Sequence, residues 1–99
     1  MALVEVSIVP VGTSEASFSS FVTEAAKVAN QHGIKYQVTP TGTVLEGDVQ
    51  QALNVAQQMH AAALRAGATR VVTNMVIDDR QDKQLTMESA VNAVTSKVQ

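Results

Sequence analysis

Lys35-Tyr36-Gln37-Val38-Thr39-Pro40-Thr41-Gly42-Thr43-Val44-Leu45-Glu46-Gly47-Asp48 decides the fold. Lys35 to Thr39 alternates, with Tyr36 and Val38 on one face, as a half-buried strand does. Pro40-Thr41-Gly42 is a tight turn, and Thr43 to Glu46 returns as a second strand. The pair is a β-hairpin. Asp48 then supplies a helix N-cap, with Gln51 three residues on completing a capping-box-like pair.

Downstream, Val49, Ala52, Leu53, Ala56, Met59, Ala63 and Leu64 form one apolar stripe of a helix that Gly67 ends. Arg70 to Ile77 is a further strand, Asp78 to Lys83 a charged loop. A last helix from about Thr86 carries Met87, Ala90, Val91, Val94 and Val98 on one side. Upstream, Leu3 to Val9 is a strand that Pro10 and Gly12 close. Phe18 to about Gln31 is a helix with a stripe of Phe18, Phe21, Val22, Ala25, Val28 and Ala29. Ser14 or Ser17 can cap it, and Gly33 ends it.

The order is β-α-β-β-α-β-α, an α+β arrangement without an internal linker or repeat, read as one domain over residues 1–99. Helices that separate strands running the same way make right-handed crossovers. The economical closure is a ferredoxin-like split βαβ: an antiparallel sheet in the order 4-1-3-2, with the first two helices on one face. Alternation assigns Val4, Val6, Ile8, Val71, Thr73, Met75 and Ile77 to the helix side. The other face carries Glu5, Ser7, Gln37, Thr39, Val72, Asn74 and Val76. That half-polar face suits a ligand floor or a subunit contact, with the last helix covering part of it.

Composition narrows the function classes. There is no cysteine, which removes disulfides, thiolate chemistry and cysteine metal sites. A net charge of −2 without a basic run, and Phe18, Phe21 and Tyr36 as the aromatics, argue against nucleic acid as a partner. No apolar run reaches the roughly 20 residues of a membrane span. Met1-Ala2-Leu3-Val4-Glu5 does not read as a signal peptide, so a cytoplasmic location is expected.

Few residues carry chemistry. His32 beside Gly33 and His60 within a helical stripe lack partners at metal-ligand spacing, and a structural reading is preferred for both. No nucleophile elbow and no phosphate loop is present. Asp78, Asp79 and Asp82, with Glu46 and Asp48, form an acidic set that a divalent-metal enzyme could use. Arg80 and Lys83 interleave it, however, and a self-paired surface loop is the preferred reading. Glu46 follows Val44-Leu45 and precedes Gly47. Facing inward, it needs a donor: Arg70, a helix N-terminal amide, or an amino group of a ligand.

Three blocks resemble the thiamine-binding, MTH1187/YkoF-like (UPF0045-type) family. They are Glu5-Val6-Ser7-Ile8-Val9-Pro10-Val11-Gly12-Thr13, the hairpin from Tyr36 to Gly47, and Gly67-Ala68-Thr69-Arg70-Val71 through Ile77-Asp78-Asp79-Arg80. The resemblance implies a ferredoxin-like fold, assembly into dimers and tetramers through the sheets, and, for some members, binding of thiamine or its hydroxymethylpyrimidine part. It places Glu46 on the family's glutamate at the third strand's end, and Thr43, Asn74 and Glu5 on polar strand positions. With Ser7 and Thr39 from the open face, these six are the expected ligand-binding residues. Tyr36 points to the helix side, so recognition is expected to rest on hydrogen bonds and aliphatic walls. The expected protein is a non-catalytic binder without cofactor, a homotetramer, in which Glu46→Gln weakens ligand binding more than it weakens the fold; the alternatives are the divalent-metal enzyme at the acidic loop and a structural or regulatory homo-oligomeric module without a small ligand.

Overall fold

A computed structural model describes residues 1–12 and 18–98. Its elements are β1 (Ala2–Pro10), α1 (Phe18–Gln31), β2 (Lys35–Thr39), β3 (Gly42–Gly47), α2 (Val49–Arg65), β4 (Val71–Asp79) and α3 (Met87–Val98). The four strands form one sheet in the order β2-β3-β1-β4, and β1–β3, β1–β4 and β2–β3 all pair antiparallel. This is the ferredoxin-like closure the element order predicts. Strand ends differ by one or two residues: Gly42 and Gly47 join β3, and Asp78 and Asp79 belong to β4, not to the charged loop.

The register confirms the two faces. Val4 lies between Leu45 and Ile77, and Val6 between Thr43 and Met75, all on the helix side. Glu5 lies between Val44 and Val76 on the open side. The core joins Val4, Val6, Ile8 and Leu45 of the sheet to Ala25, Val28 and Ala29 of α1 and to Ala52, Val55, Ala56, Met59, Ala62 and Ala63 of α2. Burying side chains such as Leu45 or Met59 contributes about 1.5–3 kcal/mol each.

The buried stripe of α2 is rotated from the predicted one. Val55 and Ala62 are inside, Leu53 is half-buried and Leu64 is exposed. The helix packs against both the sheet and α1, so its buried arc is wider than a single stripe and displaced along it. Asp48 accepts from Gln50 N–H at 3.2 Å, as an N-cap should. At the other end Gly67, at φ +114°, closes a Schellman turn: Ala68 N–H donates to Ala63 O and Gly67 N–H to Leu64 O. The proposed caps of α1, Ser14 and Ser17, lie outside the described residues.

The last helix covers less of the open face than expected. It starts in a Thr86–Ser89 capping box, with Ser89 N–H donating to Thr86 Oγ1 at 3.0 Å and Thr86 N–H to Ser89 Oγ at 3.1 Å. Leu85 and Met87 are buried, but Val91, Val94 and Val98 of the stripe are exposed. Helical periodicity specifies which side chains share a face, not whether a surface exists for that face to cover. Val72 and Val76 on the open sheet face are likewise exposed.

Candidate functional site

Strand β1 outruns its neighbour. Its pairing with β3 runs from Ala2 to Val6, whereas its pairing with β4 continues to Pro10. From Ser7 onward, one edge of β1 therefore has no β3 partner. The hairpin turns away there, and Gly42 makes the parting tight. A Cβ on Gly42 would sit 2.7 Å from the Val6 carbonyl oxygen, a separation only glycine avoids.

The result is a cleft of about 200 Å³ between the end of β1 and the hairpin. Val6, Ile8 and Thr43 line it from the helix side, Ser7, Val9 and Thr39 from the open side, and Val22 and Ala25 of α1 form a wall. Among the described residues it offers aliphatic walls, several hydroxyls and the stretch of β1 that runs past its β3 pairing, with no charged group. Thr39 Oγ1 donates to Gly42 O at 3.0 Å, which holds the hairpin tip in shape.

Three of the six expected site residues, Ser7, Thr39 and Thr43, meet in this cleft. Asn74 is directly across from Ser7 on β4, and Glu5 is two residues along β1 on the same open face. Glu46 is elsewhere. It pairs with Leu3, toward the opposite end of β1, roughly 13 Å from Ser7 at about 3.3 Å per residue.

Glu46 is buried and engaged by the chain itself. Its Oε1 accepts the Met87 N–H at 2.7 Å, and its Oε2 lies 3.7 Å from Lys35 Nζ. Lys35 also reaches Glu88 at 3.4 Å. Of the donors left open by the sequence, the helix N-terminal amide is the one realised, and Lys35 takes the place suggested for Arg70. A carboxylate at the first turn of α3 suits the positive end of the helix dipole.

The remaining candidates divide clearly. His60 Nδ1 lies 2.6 Å from Thr73 Oγ1, a contact that ties α2 to β4. His32 is exposed at the end of α1. In the acidic loop Arg80 forms a two-pronged pair with Asp82, Nε to Oδ1 at 2.9 Å and Nη2 to Oδ2 at 2.6 Å. The guanidinium holds the Asp82 carboxyl below its usual range. Among the described residues, no three His, Asp or Glu side chains converge as a metal site would require.

Sequence reasoning missed Thr41, Val22 and Ala25 as parts of the cleft. The alternation Thr39-Pro40-Thr41-Gly42-Thr43 carried a signal for the first. Nothing local could show that α1 would wall the same space.

Known proteins share this fold. A crystal structure of MJ1052 from Methanocaldococcus jannaschii superposes with a TM-score of 0.86 at 36% identity, covering 95% of each chain. A Thermotoga maritima structure provisionally assigned to thiamine biosynthesis or salvage has a TM-score of 0.79, over 99% of this chain and 98% of its own; at 22% identity it attests the fold alone. UPF0045 protein YqgV of Bacillus subtilis is 39% identical over all of this chain and 99% of its own length. The family model described as thiamine-binding protein matches residues 4–95. With that match running through β1, the hairpin and β4, the chain belongs to the thiamine-binding protein family.

Proposed function

We propose that this chain is a non-catalytic binding protein for thiamine or its hydroxymethylpyrimidine moiety. The observation that carries the reading is the cleft where β1 outruns β3. A strand edge and the Ser7, Thr39 and Thr43 hydroxyls are complementary to the ring nitrogens and amino group of a pyrimidine, and aliphatic walls suit its faces. Family membership supports the ligand class.

Size favours one part of the ligand. Drug-sized molecules occupy pockets of roughly 300–1,000 Å³. A cleft of about 200 Å³ suits a single heteroaromatic ring. The pyrimidine then sits in the cleft, and the cationic thiazolium of thiamine extends over the open face toward Glu5 and Asn74. Glu46 is left to the fold.

The reading includes a cytoplasmic homo-oligomer, a tetramer, with neither nucleic acid nor membrane as partner. Exposed Val72 and Val76 on the open face and Val91, Val94 and Val98 on α3 support association. No helix among the described residues is long and apolar enough to cross a membrane.

Calorimetry with hydroxymethylpyrimidine, thiamine and thiamine phosphates tests the ligand. Binding of the first two is expected, weakened about three- to tenfold by Ser7→Ala through loss of one hydrogen bond. No heat and no thermal shift at millimolar concentrations of any of them would remove the proposal.

A further inference from the structure

A second hollow, of about 610 Å³, runs between α1 and α2. Val28 of α1 and Ala62 of α2 are buried at its floor. Ala62 and Ala66 lie one turn apart on α2 and are too short to fill the space above them. The rim is polar. Thr23, Lys27 and Gln31 follow one another at four-residue steps along α1, and Arg65 lines the groove from α2.

The charges of this rim are unevenly matched. Glu24 and Lys27 pair at 3.1 Å, with side chains 47% and 60% exposed. Such an exposed pair is weak, so Lys27 is easily redirected to another anion. Arg65 is the one formally charged residue of α2. Among the described residues it makes neither an ion pair nor a side-chain hydrogen bond. Its place in the last turn complements the helix dipole, but that role uses only its charge. The carbonyls of Ala62, Ala63 and Leu64 are already taken by the turn at Gly67, so the guanidinium N–H groups are left for something else.

We infer that this groove binds a small organic phosphate, a phosphomonoester held at its phosphate by Arg65 and Lys27, with its organic part over Val28, Ala62 and Ala66. The inference is independent of the ligand of the cleft, because Val22 and Ala25, which wall the cleft, occupy a different face of α1 from Lys27 and Gln31. Lys27 and Arg65 against Glu24 leave the groove one net positive charge, which selects an anion. A carboxylate would satisfy Arg65 alone. A phosphate presents three oxygens in a tetrahedron, enough for a two-pronged contact with the guanidinium and another with the ammonium across the groove. The Thr23 hydroxyl and the Gln31 amide supply further donors at the rim. The volume is that of a site for a whole small molecule, roughly 300–1,000 Å³, and exceeds what inorganic phosphate needs. Glu24 opposes the ligand as a like charge and as its competitor for Lys27, so it sets the affinity.

Two-dimensional amide NMR of the whole chain, titrated at low ionic strength, reads the site with phenyl phosphate as probe. Saturable shifts at Lys27, Gln31, Ala62 and Arg65 are expected at millimolar or lower concentration, with weaker binding of inorganic phosphate and no such shifts with sodium chloride at matched ionic strength. Arg65→Gln should weaken phenyl phosphate at least about tenfold, and Glu24→Gln should tighten it about two- to fivefold. Both positions are exposed, and Tm measured on the same variants reads their effect on the fold.

The absence of saturable shifts at millimolar phenyl phosphate, or equal shifts with chloride, overturns the site. So does an Arg65→Gln variant that loses Tm but keeps its affinity, which would make Arg65 a helix-end charge and nothing more. Shifts confined to Ser7, Thr39 and Thr43 would put the anion in the cleft and overturn the groove. Binding of hydroxymethylpyrimidine, present or absent, bears on none of these outcomes.

Discussion

Replacing Glu46 with glutamine separates a bracing carboxylate from a binding one. In the structure Glu46 is 8% exposed and receives the Met87 N–H at 2.7 Å. A hydrogen bond to a charged group contributes about 1.5–3 kcal/mol and a neutral one about 0.5–1.5. The glutamine amide would keep an acceptor for Met87 but lose the charge, a difference of about 1 kcal/mol. The Lys35 pair adds little, about 0–1 kcal/mol, because it is 3.7 Å long and the lysine side chain is 52% exposed. Glu46→Gln should therefore cost about 1–2 kcal/mol, which for a chain of this size lowers Tm by roughly 4–16 °C. Glu46→Ala removes the acceptor altogether and should cost more, about 2–4 kcal/mol. Differential scanning fluorimetry at fixed protein concentration reads the stability, and calorimetry on the same variants reads the affinity. The expected result is a clear loss of Tm with hydroxymethylpyrimidine affinity changed less than about twofold. A tenfold loss of affinity at unchanged Tm would refute the reasoning and restore the binding role that the family resemblance implies for Glu46.

Other sites give sharper or smaller effects. Met59→Ala opens a cavity in a core position that is 1% exposed and should cost about 2–5 kcal/mol by denaturant unfolding. Gly42→Ala forces a Cβ against the Val6 carbonyl, so the sheet must shift; a loss of about 1–3 kcal/mol is expected, together with weaker ligand binding, because the cleft is built on that approach. Arg80 holds the Asp82 carboxyl low, so their pair stabilises the fold above the ordinary carboxylate pKa and is lost as pH falls through the lowered value. A Tm comparison with Asp82→Asn should show any difference near neutral pH shrinking on acidification. A difference that grew instead would show that the pair does not act this way.

Much of the architecture was legible because it depends on period and punctuation. Alternation in β1, the Pro40-Thr41 turn, the Asp48 cap and Gly67 are local features, and each appears where local physics places it. The alternation also assigned the two sheet faces correctly, because a strand's side chains have no choice but to alternate once one face is buried. Family membership was legible for the same reason: its blocks lie on these strands and the turns that bound them.

What the tertiary structure alone decided concerns lengths and neighbours. That β1 extends past the end of its β3 pairing, opening a cleft at Ser7, follows from register, and no local pattern encodes register between segments so far apart in the chain. The partner of Glu46 is equally non-local. Sequence showed that a carboxylate ending an apolar strand needs a donor, but only the packing of α3 brings the Met87 amide to it and Lys35 beside it. The same holds for the stripe of α3. Its periodicity is written in Met87, Val91, Val94 and Val98, yet among the described residues Val91, Val94 and Val98 stay exposed beyond the first turn. Hydrophobic pattern specifies what must be covered, and three-dimensional contact determines what covers it.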